Sequence, residues 1–201
     1  MTPNTAATYQ RYAIYYLCDP GPLADFGADW LGWDVIAGAA RPHPSIPGFA
    51  GPVSGNTPAD TADCPGPIHR LTETPRKYGF HGTIKPPFHL APGQTGAQLL
   101  DAAQDLCATF PAFTADGLTL SRLGGFLALT LTDNTPKMSE LAALCVKGLD
   151  RFRAEPDKKE TARRRARGLT PRQDALLSRW GYPYVMEEFR FHMTLSKRMT
   201  D

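Results

Sequence analysis

Two nearly identical pentapeptides contain the residue types in this sequence that are best suited to catalysis. Residues 80–84 read Phe-His-Gly-Thr-Ile, and residues 191–195 read Phe-His-Met-Thr-Leu. The chain of 201 residues has only 5 histidines, and the packing of a hydrophobic core requires no histidine at either place. Chance recurrence of this pattern with the same flanking residues is improbable, so we infer that both copies have a functional origin.

Strand geometry predicts that each motif has one apolar face and one polar face, because side chains alternate along a strand. Phenylalanine and the aliphatic residues of each copy share the face that we expect to pack in the core. The polar face carries His81, Thr83 and Lys85 in the first copy, and Arg190, His192, Thr194 and Ser196 in the second. Each motif thus presents a His-Thr pair beside a cation, although Lys85 and Arg190 fit rim positions equally well.

Two histidines that face one another suit general acid–base catalysis at phosphorus. Imidazole has an ordinary pKa of about 6.5, so near neutral pH one ring can be neutral while the other is protonated. The neutral ring accepts a proton from the nucleophile and the imidazolium donates one to the leaving group. Threonine hydroxyls two residues further along would bind the non-bridging phosphate oxygens.

Composition is that of an ordinary globular protein and limits the other classes of function. The formal net charge of +2 gives no global basic field for nucleic acid, so nucleic-acid binding is not favoured, although a local basic patch stays open. The 4 cysteines are far apart and form no C-x-x-C pair, which indicates reduced thiols. The N-terminus resembles no signal peptide and no apolar run could span a membrane, so we expect a cytoplasmic protein.

Hydrophobic periodicity predicts an α+β fold in which a motif strand and a helix recur twice. We expect a single domain over residues 1–201 with two similar lobes and one motif strand per lobe. The expected strands are 11–17, about 78–85, 113–122, 125–132 and about 189–196. The expected helices are 23–31, 96–110, 136–152 and 171–180, the last with Thr170 as N-cap and Pro171 as first residue.

Two segments have open interpretations. Residues 38–75 are rich in proline and glycine, which argues against regular helix or central strand and leaves either a lid over the site or a surface insertion. Residues 157–168 carry six Lys or Arg, either as a solvated helix face or as a rim that attracts phosphate. RNA binding through Arg163–Arg167 is a third reading.

The paired motifs resemble the H-x-T-x motifs of the 2H (two-histidine, LigT-like) phosphoesterase superfamily. The wider stretches RKYGFHGTIKPPF, FLAL, RRR and WGYPYVMEEFRFHMTL are similar to the branch associated with bacterial phosphonate-degradation operons, and the resemblance runs from about Arg11 to Leu195. It implies a bilobal, pseudo-symmetric α+β fold in which two antiparallel-rich sheets line a central cleft and the helices lie outside. It also implies a metal-independent phosphodiesterase without a cofactor that acts on a cyclic phosphodiester, either a cyclic sugar phosphate or a 2′,3′-cyclic nucleotide. It also implies that His81 and His192 are the acid–base pair, with Thr83 and Thr194 binding phosphate.

One departure from that family concerns the C-terminus, where only seven residues follow Thr194. Relatives of this kind continue with further helix and strand. We therefore expect an incomplete second lobe, with an exposed apolar face or sheet edge near the second motif that a second copy of the chain would cover.

Two rival functions remain open. A metal-dependent hydrolase would use His81 and His192 with His43, His69 or His89, but neither motif has the carboxylates or thiolates that usually accompany histidine ligands. A non-catalytic module would keep the same fold and bind a phosphosugar or nucleotide without turnover.

Overall fold

The computed structural model describes residues 11–46, 66–133 and 135–199 and has an α+β fold. Its strands are β1 (Tyr12–Tyr16), β2 (Trp33–Asp34), β3 (Ala39–Ala40), β4 (Gly82–Phe88), β5 (Leu118–Leu123), β6 (Phe126–Leu131) and β7 (His192–Thr194). Its helices are α1 (Pro22–Leu31), α2 (Pro67–Thr72), α3 (Gly96–Thr109), α4 (Pro136–Gly148), α5 (Lys158–Arg165) and α6 (Pro171–Trp180), and short 3-10 turns lie at Pro75–Lys77, Asp150–Phe152 and Met186–Glu188. None of the helices in these ranges is long and apolar enough to cross a membrane.

Five strands form one mostly antiparallel sheet in the order β1-β4-β7-β6-β5, and β2 and β3 form a separate two-stranded sheet. The hairpin β5–β6 turns at Gly124, whose φ of 58° is readily adopted only by glycine. Strand β7 pairs with β4 on one side and β6 on the other. The short strand of the second motif is therefore interior to the sheet.

The chain divides into two compact units. The first comprises Met1–Tyr15, Thr83–Ala115 and Asp133–Phe191, and the second comprises Tyr16–Gly82, Asp116–Thr132 and His192–Asp201. In the first unit, Phe88 of β4, Leu99 of α3, and Leu149 and Phe152 after α4 form a buried cluster. These apolar side chains join the two long helices to the strand.

In the second unit, α1 packs closely against the segment that leads into the first motif. A Cβ on Gly27 would lie 2.0 Å from the ring of Phe80, so only glycine fits at this helix position. Leu31 at the end of the helix is fully buried. Trp30 donates an indole N–H to the carbonyl oxygen of Leu195 at 2.8 Å, which connects α1 to the residue that follows β7.

The residues at which helices begin were predicted more accurately than the helix faces that are buried. Thr170 is the N-cap of α6 with Pro171 in the first turn, as predicted, and its side chain accepts the backbone N–H of Gln173 in a capping box. The spacing of apolar residues in the sequence predicts a buried stripe on α3 that includes Leu99, Leu100 and Cys107. This stripe is wrong in part, because Leu100 is 58% exposed and Cys107 is also exposed. The stripe drawn from the sequence was wider than the face that α3 buries.

The expectation that residues 38–75 lack regular structure needs correction. Strand β3 and helix α2 both lie within this range. Pro67 occupies the first turn of α2, where a missing N–H costs nothing, so a proline that we read as a breaker begins a helix. Residues 47–65, which are half of the predicted lid or insertion, lie outside the described residues.

The arrangement of the motif strands also differs from the expectation. The two motifs lie on neighbouring strands of one sheet, whereas we had placed them in separate sheets. The expected apolar edge at the second motif is not found among the described residues, since β7 has a partner on each side and Met193 is fully buried. A homo-oligomer remains a prediction.

Candidate active site

The two His-x-Thr motifs meet at their central residues. Gly82 of β4 lies directly opposite Met193 of β7 in an antiparallel pair. In an antiparallel pair, the residue before Gly82 faces the residue after Met193. The register therefore sets His81 opposite Thr194. His81, His192 and Thr194 all belong to the second unit.

Alternation along β7 separates a buried apolar face from a polar face, as predicted. Phe191, Met193 and Leu195 are 7%, 0% and 4% exposed. His192 and Thr194, at the intervening positions, are each partly exposed. The apolar side chains thus fix the strand by burial and leave the imidazole and the hydroxyl at positions with access to solvent.

His81 is held in one orientation by the peptide just before the motif. Its Nδ1 lies 2.9 Å from the carbonyl oxygen of Gly79. Because a carbonyl oxygen can only accept, Nδ1 carries the hydrogen and the neutral ring keeps its lone pair on Nε2. Burial lowers the pKa of His81, and the positive charge of His192 lowers it further, while the Gly79 hydrogen bond opposes both effects.

Gly79 was not singled out by the sequence analysis, although the site depends on its conformation. Its φ of 74° lies in the left-handed region, and a Cβ there would come within 2.5 Å of the Val35 side chain. The second motif has no glycine at the corresponding position. The available signal in the sequence was that a glycine lies two residues before His81, whereas an arginine lies two residues before His192.

His192 is supported from strand β6. It pairs with Thr130 in the ladder, and its ring lies 5.7 Å from the ring of Phe126 between centroids. Thr194 pairs with Ala128, which is fully buried. After the motif, the buried Ser196 accepts the backbone N–H of Leu127 at 2.8 Å, so the end of the motif is also fixed.

Three of the predicted site residues belong to the first unit. Thr83 is half-buried and is the first residue of the segment Thr83–Ala115 of this unit. Arg190 is exposed and lies next to the last residue of the segment Asp133–Phe191. Lys85 is 2% exposed, donates to the carbonyl oxygen of Val146 at 3.0 Å, and lies 5.0 Å from the ring centre of Phe88. Burial lowers the pKa of Lys85 to about 8, and phosphate binding by Lys85 or Arg190 remains a prediction.

The other histidines have separate surroundings. The Nδ1 atom of His43 lies 3.0 Å from the carbonyl oxygen of Trp30, and the rings of His43 and His69 are 5.7 Å apart. His89 is exposed. Over the ranges that the structure covers, no group of three or more His, Cys, Asp or Glu is arranged to hold a metal ion.

The basic segment forms α5, which has no buried residue. Arg164 donates to Glu160 at 2.6 Å, and Arg165 donates to Asp174 of α6, also at 2.6 Å. The side chains of Arg165 and Asp174 are 50% and 42% exposed, as expected of a solvated face, whereas those of Arg164 and Glu160 are only 15% and 19% exposed. Attraction of phosphate or RNA by Arg163–Arg167 remains a prediction.

Comparison with known proteins gives a family match and two relatives. Residues 83–201 match the family described as "Protein of unknown function (DUF1045)", a range that contains the second motif and begins two residues after His81. A protein of Janthinobacterium sp. (strain Marseille) named "Ribose 1,5-bisphosphate phosphokinase PhnN" is 38% identical over 191 residues, which are 92% of this chain and 38% of that protein. One of the same name from Laribacter hongkongensis (strain HLHK9) is 36% identical over 196 residues, which are 95% of this chain and 41% of that protein.

The chain thus spans about two fifths of the length of these relatives. No solved structure matches it.

Proposed function

We propose that this chain, which belongs to the DUF1045 family, is a metal-independent phosphodiesterase that opens a cyclic phosphodiester by acid–base catalysis with two histidines. The observation that carries the proposal is the antiparallel pairing of the motif centres, Gly82 and Met193. This register brings a histidine from each motif into one unit, close enough for the charge of His192 to lower the pKa of His81.

In the proposed reaction His81 is the general base and His192 is the general acid. The Gly79 carbonyl holds the Nδ1–H of His81, and the lowered pKa favours the neutral ring, so Nε2 is the ring atom that would accept a proton from water. The water oxygen then bonds to phosphorus while the ester P–O bond breaks. His192 donates its proton to the departing alkoxide, and one water is consumed for each ring opened.

The threonines are proposed to bind the non-bridging phosphate oxygens. The register of β4 and β7 sets Thr194 opposite His81. Thr194 also belongs to the same unit as both histidines. A donor fixed before the reaction stabilises charge that develops on these oxygens without reorganisation. Thr83 has the same place in the first motif, and we propose the same role for it.

The substrate is proposed to be a cyclic phosphate of a ribose. Two relatives are named for ribose 1,5-bisphosphate, and this supports the processing of a phosphorylated sugar. A ribose cyclic phosphate and a 2′,3′-cyclic nucleotide both contain a cyclic phosphodiester on a ribose. The resemblance to the branch associated with phosphonate degradation favours the sugar phosphate.

A second candidate is the phosphoryl transfer for which the two relatives are named. The chain lacks the sequence Gly-x-x-x-x-Gly-Lys-[Ser/Thr], whose backbone cradles nucleotide phosphates in P-loop enzymes. The match also covers only 38% and 41% of those proteins. Incubation with ribose 1,5-bisphosphate and ATP tests this candidate, since ADP formation that depends on the sugar would favour it.

The proposed activity is tested by a turnover screen in the presence of excess EDTA. Ribose cyclic phosphates and 2′,3′-cyclic nucleotides are offered to the wild type and to the double variant His81→Ala/His192→Ala. We expect ring opening by the wild type with EDTA present and a loss of at least about 100-fold in the double variant. The control His89→Ala, which changes an exposed histidine of the first unit, should keep the wild-type rate.

Each remaining outcome of the screen identifies a different function. Turnover that EDTA abolishes and a divalent cation restores would indicate a metal-dependent hydrolase. Binding of these compounds without turnover would indicate a non-catalytic module, and the phosphodiesterase proposal would be wrong.

A further inference from the structure

A cavity of about 470 Å³ lies within the second unit, beside the segment that enters the first motif. Its walls are the chain after β1, helix α1 as far as Ala28, strand β2 with the two residues that follow it, and Phe80. The volume falls in the range typical of pockets for small molecules. Neither the motif nor the proposed chemistry accounts for this cavity.

The cavity offers an apolar surface to a ring. Trp33, Val35, Ile36 and Phe80 all line it. Ile36 is 75% exposed and Val35 is 37% exposed. These exposed aliphatic side chains lie beside an indole and a phenyl ring. Burial of this apolar surface under the apolar side of a sugar or a similar ring would be energetically favourable.

The polar lining of the cavity is negative. Asp19, Asp25 and Asp34 contribute carboxylates, and no lysine or arginine is among the described residues that line it. Asp25 is partly neutralised by Arg41, whose Nη2 lies 3.4 Å away. Burial raises the pKa of the Cys18 thiol, so this lining group is neutral at neutral pH.

Asp34 is fixed in place within this wall. Its Oδ1 atom accepts the backbone N–H groups of Ile36 and Ala37, both at 2.9 Å. An asparagine could accept the same two hydrogen bonds through its amide oxygen, because that oxygen also has two lone pairs. The charge at this position can therefore be removed without removing the turn.

The cavity wall is continuous with the group that orients His81. Val35 lines the cavity and packs against Gly79, where a Cβ would approach within 2.5 Å. The carbonyl of Gly79 in turn accepts the Nδ1–H of His81. Phe80, which lines the cavity, is the residue immediately before His81.

We propose that this cavity receives the non-phosphate part of the substrate that His81 and His192 cleave, and that Asp19 and Asp34 select against a second phosphate there. The inference rests on the proposed function. The carboxylates accept hydrogen bonds from hydroxyl or amino groups, and they repel a second anion. The preferred substrate is therefore a cyclic phosphate whose remaining groups are uncharged.

The test compares two substrates that differ only in a second phosphate. A ribose cyclic phosphate with and without a 5-phosphate is offered to the wild type and to Asp19→Asn/Asp34→Asn. We expect kcat/KM of the wild type to favour the singly phosphorylated compound by about 10-fold, and we expect the ratio to fall towards about 1 in the variant. Asp101→Asn, an exposed position on α3 in the other unit, should leave the ratio unchanged.

A binding measurement separates failure of this inference from failure of the proposed function. The singly phosphorylated compound is titrated into His81→Ala/His192→Ala while tryptophan fluorescence is recorded, and Trp33→Phe in that background should remove most of the change. Ring opening with a substrate ratio that the Asp variants do not alter would overturn the inference alone. Binding reported by Trp33 without any wild-type turnover would support the cavity as a ligand site and overturn the proposed reaction, whereas no response of Trp33 would overturn the cavity assignment.

Discussion

At the scale of single residues, the two histidines differ although their motifs are nearly identical. His81 has a carbonyl partner at Nδ1, supplied by Gly79 in the left-handed region. His192 instead lies beside the ring of Phe126 and pairs with Thr130 across the sheet. The repeat of the sequence therefore predicted that His192 and Thr194 alternate with buried apolar residues, whereas Lys85 and Ser196, which were expected on the polar faces, are buried. The difference between the two rings comes from residues outside the repeat.

The lowered pKa of His81 gives a prediction for NMR. Its imidazole should titrate below the ordinary value of 6.5, because burial disfavours the charged ring and His192 repels it. Replacement His192→Asn removes the repelling charge, so the His81 pKa should rise towards 6.5. Titration of the histidine Cε1–H resonances, assigned from the single variants, measures both effects.

The control for this titration is His89→Asn, which changes an exposed histidine in the other unit and should leave the His81 pKa where it is. If His81 is the base, the acid limb of kcat/KM should follow the same pKa, because only the neutral ring accepts a proton. A His81 resonance that titrates at or above 6.5, or that ignores the His192 change, would refute the electrostatic description of the pair.

At the scale of elements, helix starts and strand faces followed from local chemistry. The capping boxes at Thr95 and Thr170 set the first residues of α3 and α6, and alternation set the buried face of β7. Helix α2 was missed because the density of prolines masked one that begins a helix. The exposure of Leu100 could not be inferred, since it depends on how much of α3 its neighbours cover.

The contact between α1 and the end of β7 should contribute measurably to stability. Trp30→Phe keeps an aromatic ring that can stack with Phe26 but removes the N–H that reaches the Leu195 carbonyl at 2.8 Å. We expect the free energy of unfolding to fall by about 1 kcal/mol, the usual net value of such a bond. Urea denaturation monitored by circular dichroism measures this change.

The matched variant is Trp180→Phe in the first unit, where the indole ring lies 4.3 Å from the Arg179 guanidinium. It should cost less than Trp30→Phe, because phenylalanine keeps an aromatic face for that cation. Equal stability of Trp30→Phe and the wild type would show that the indole hydrogen bond does not hold β7 in place.

At the scale of the whole molecule, the α+β class was predicted correctly, whereas the placement of the two motif strands in separate sheets was wrong. Periodicity indicated the five strands of the larger sheet, and not β2 or β3, but it contains no information on which strands pair when a long chain segment separates them. The sequence suggested one motif per lobe, whereas the structure pairs β4 directly with β7 and assigns both histidines to one unit. The expectation of one motif per sheet came from the repeat and the resemblance, and neither contains the long-range pairing of β4 with β7.

The central claim is that His81 and His192 act as base and acid on one phosphodiester. It is tested most directly with two substrates that differ in the need for a general acid: a ribose cyclic phosphate, whose leaving group is an alkoxide, and a p-nitrophenyl phosphodiester, whose phenolate leaves without protonation. Both are assayed with the wild type, His81→Asn and His192→Asn.

We expect His81→Asn to lower kcat/KM by about 100-fold or more for both substrates, because each needs the base. His192→Asn should cause a similar loss with the cyclic phosphate and a much smaller loss with the p-nitrophenyl ester. Equal losses for both substrates in His192→Asn would contradict the acid assignment, and wild-type rates in both variants would contradict the account as a whole.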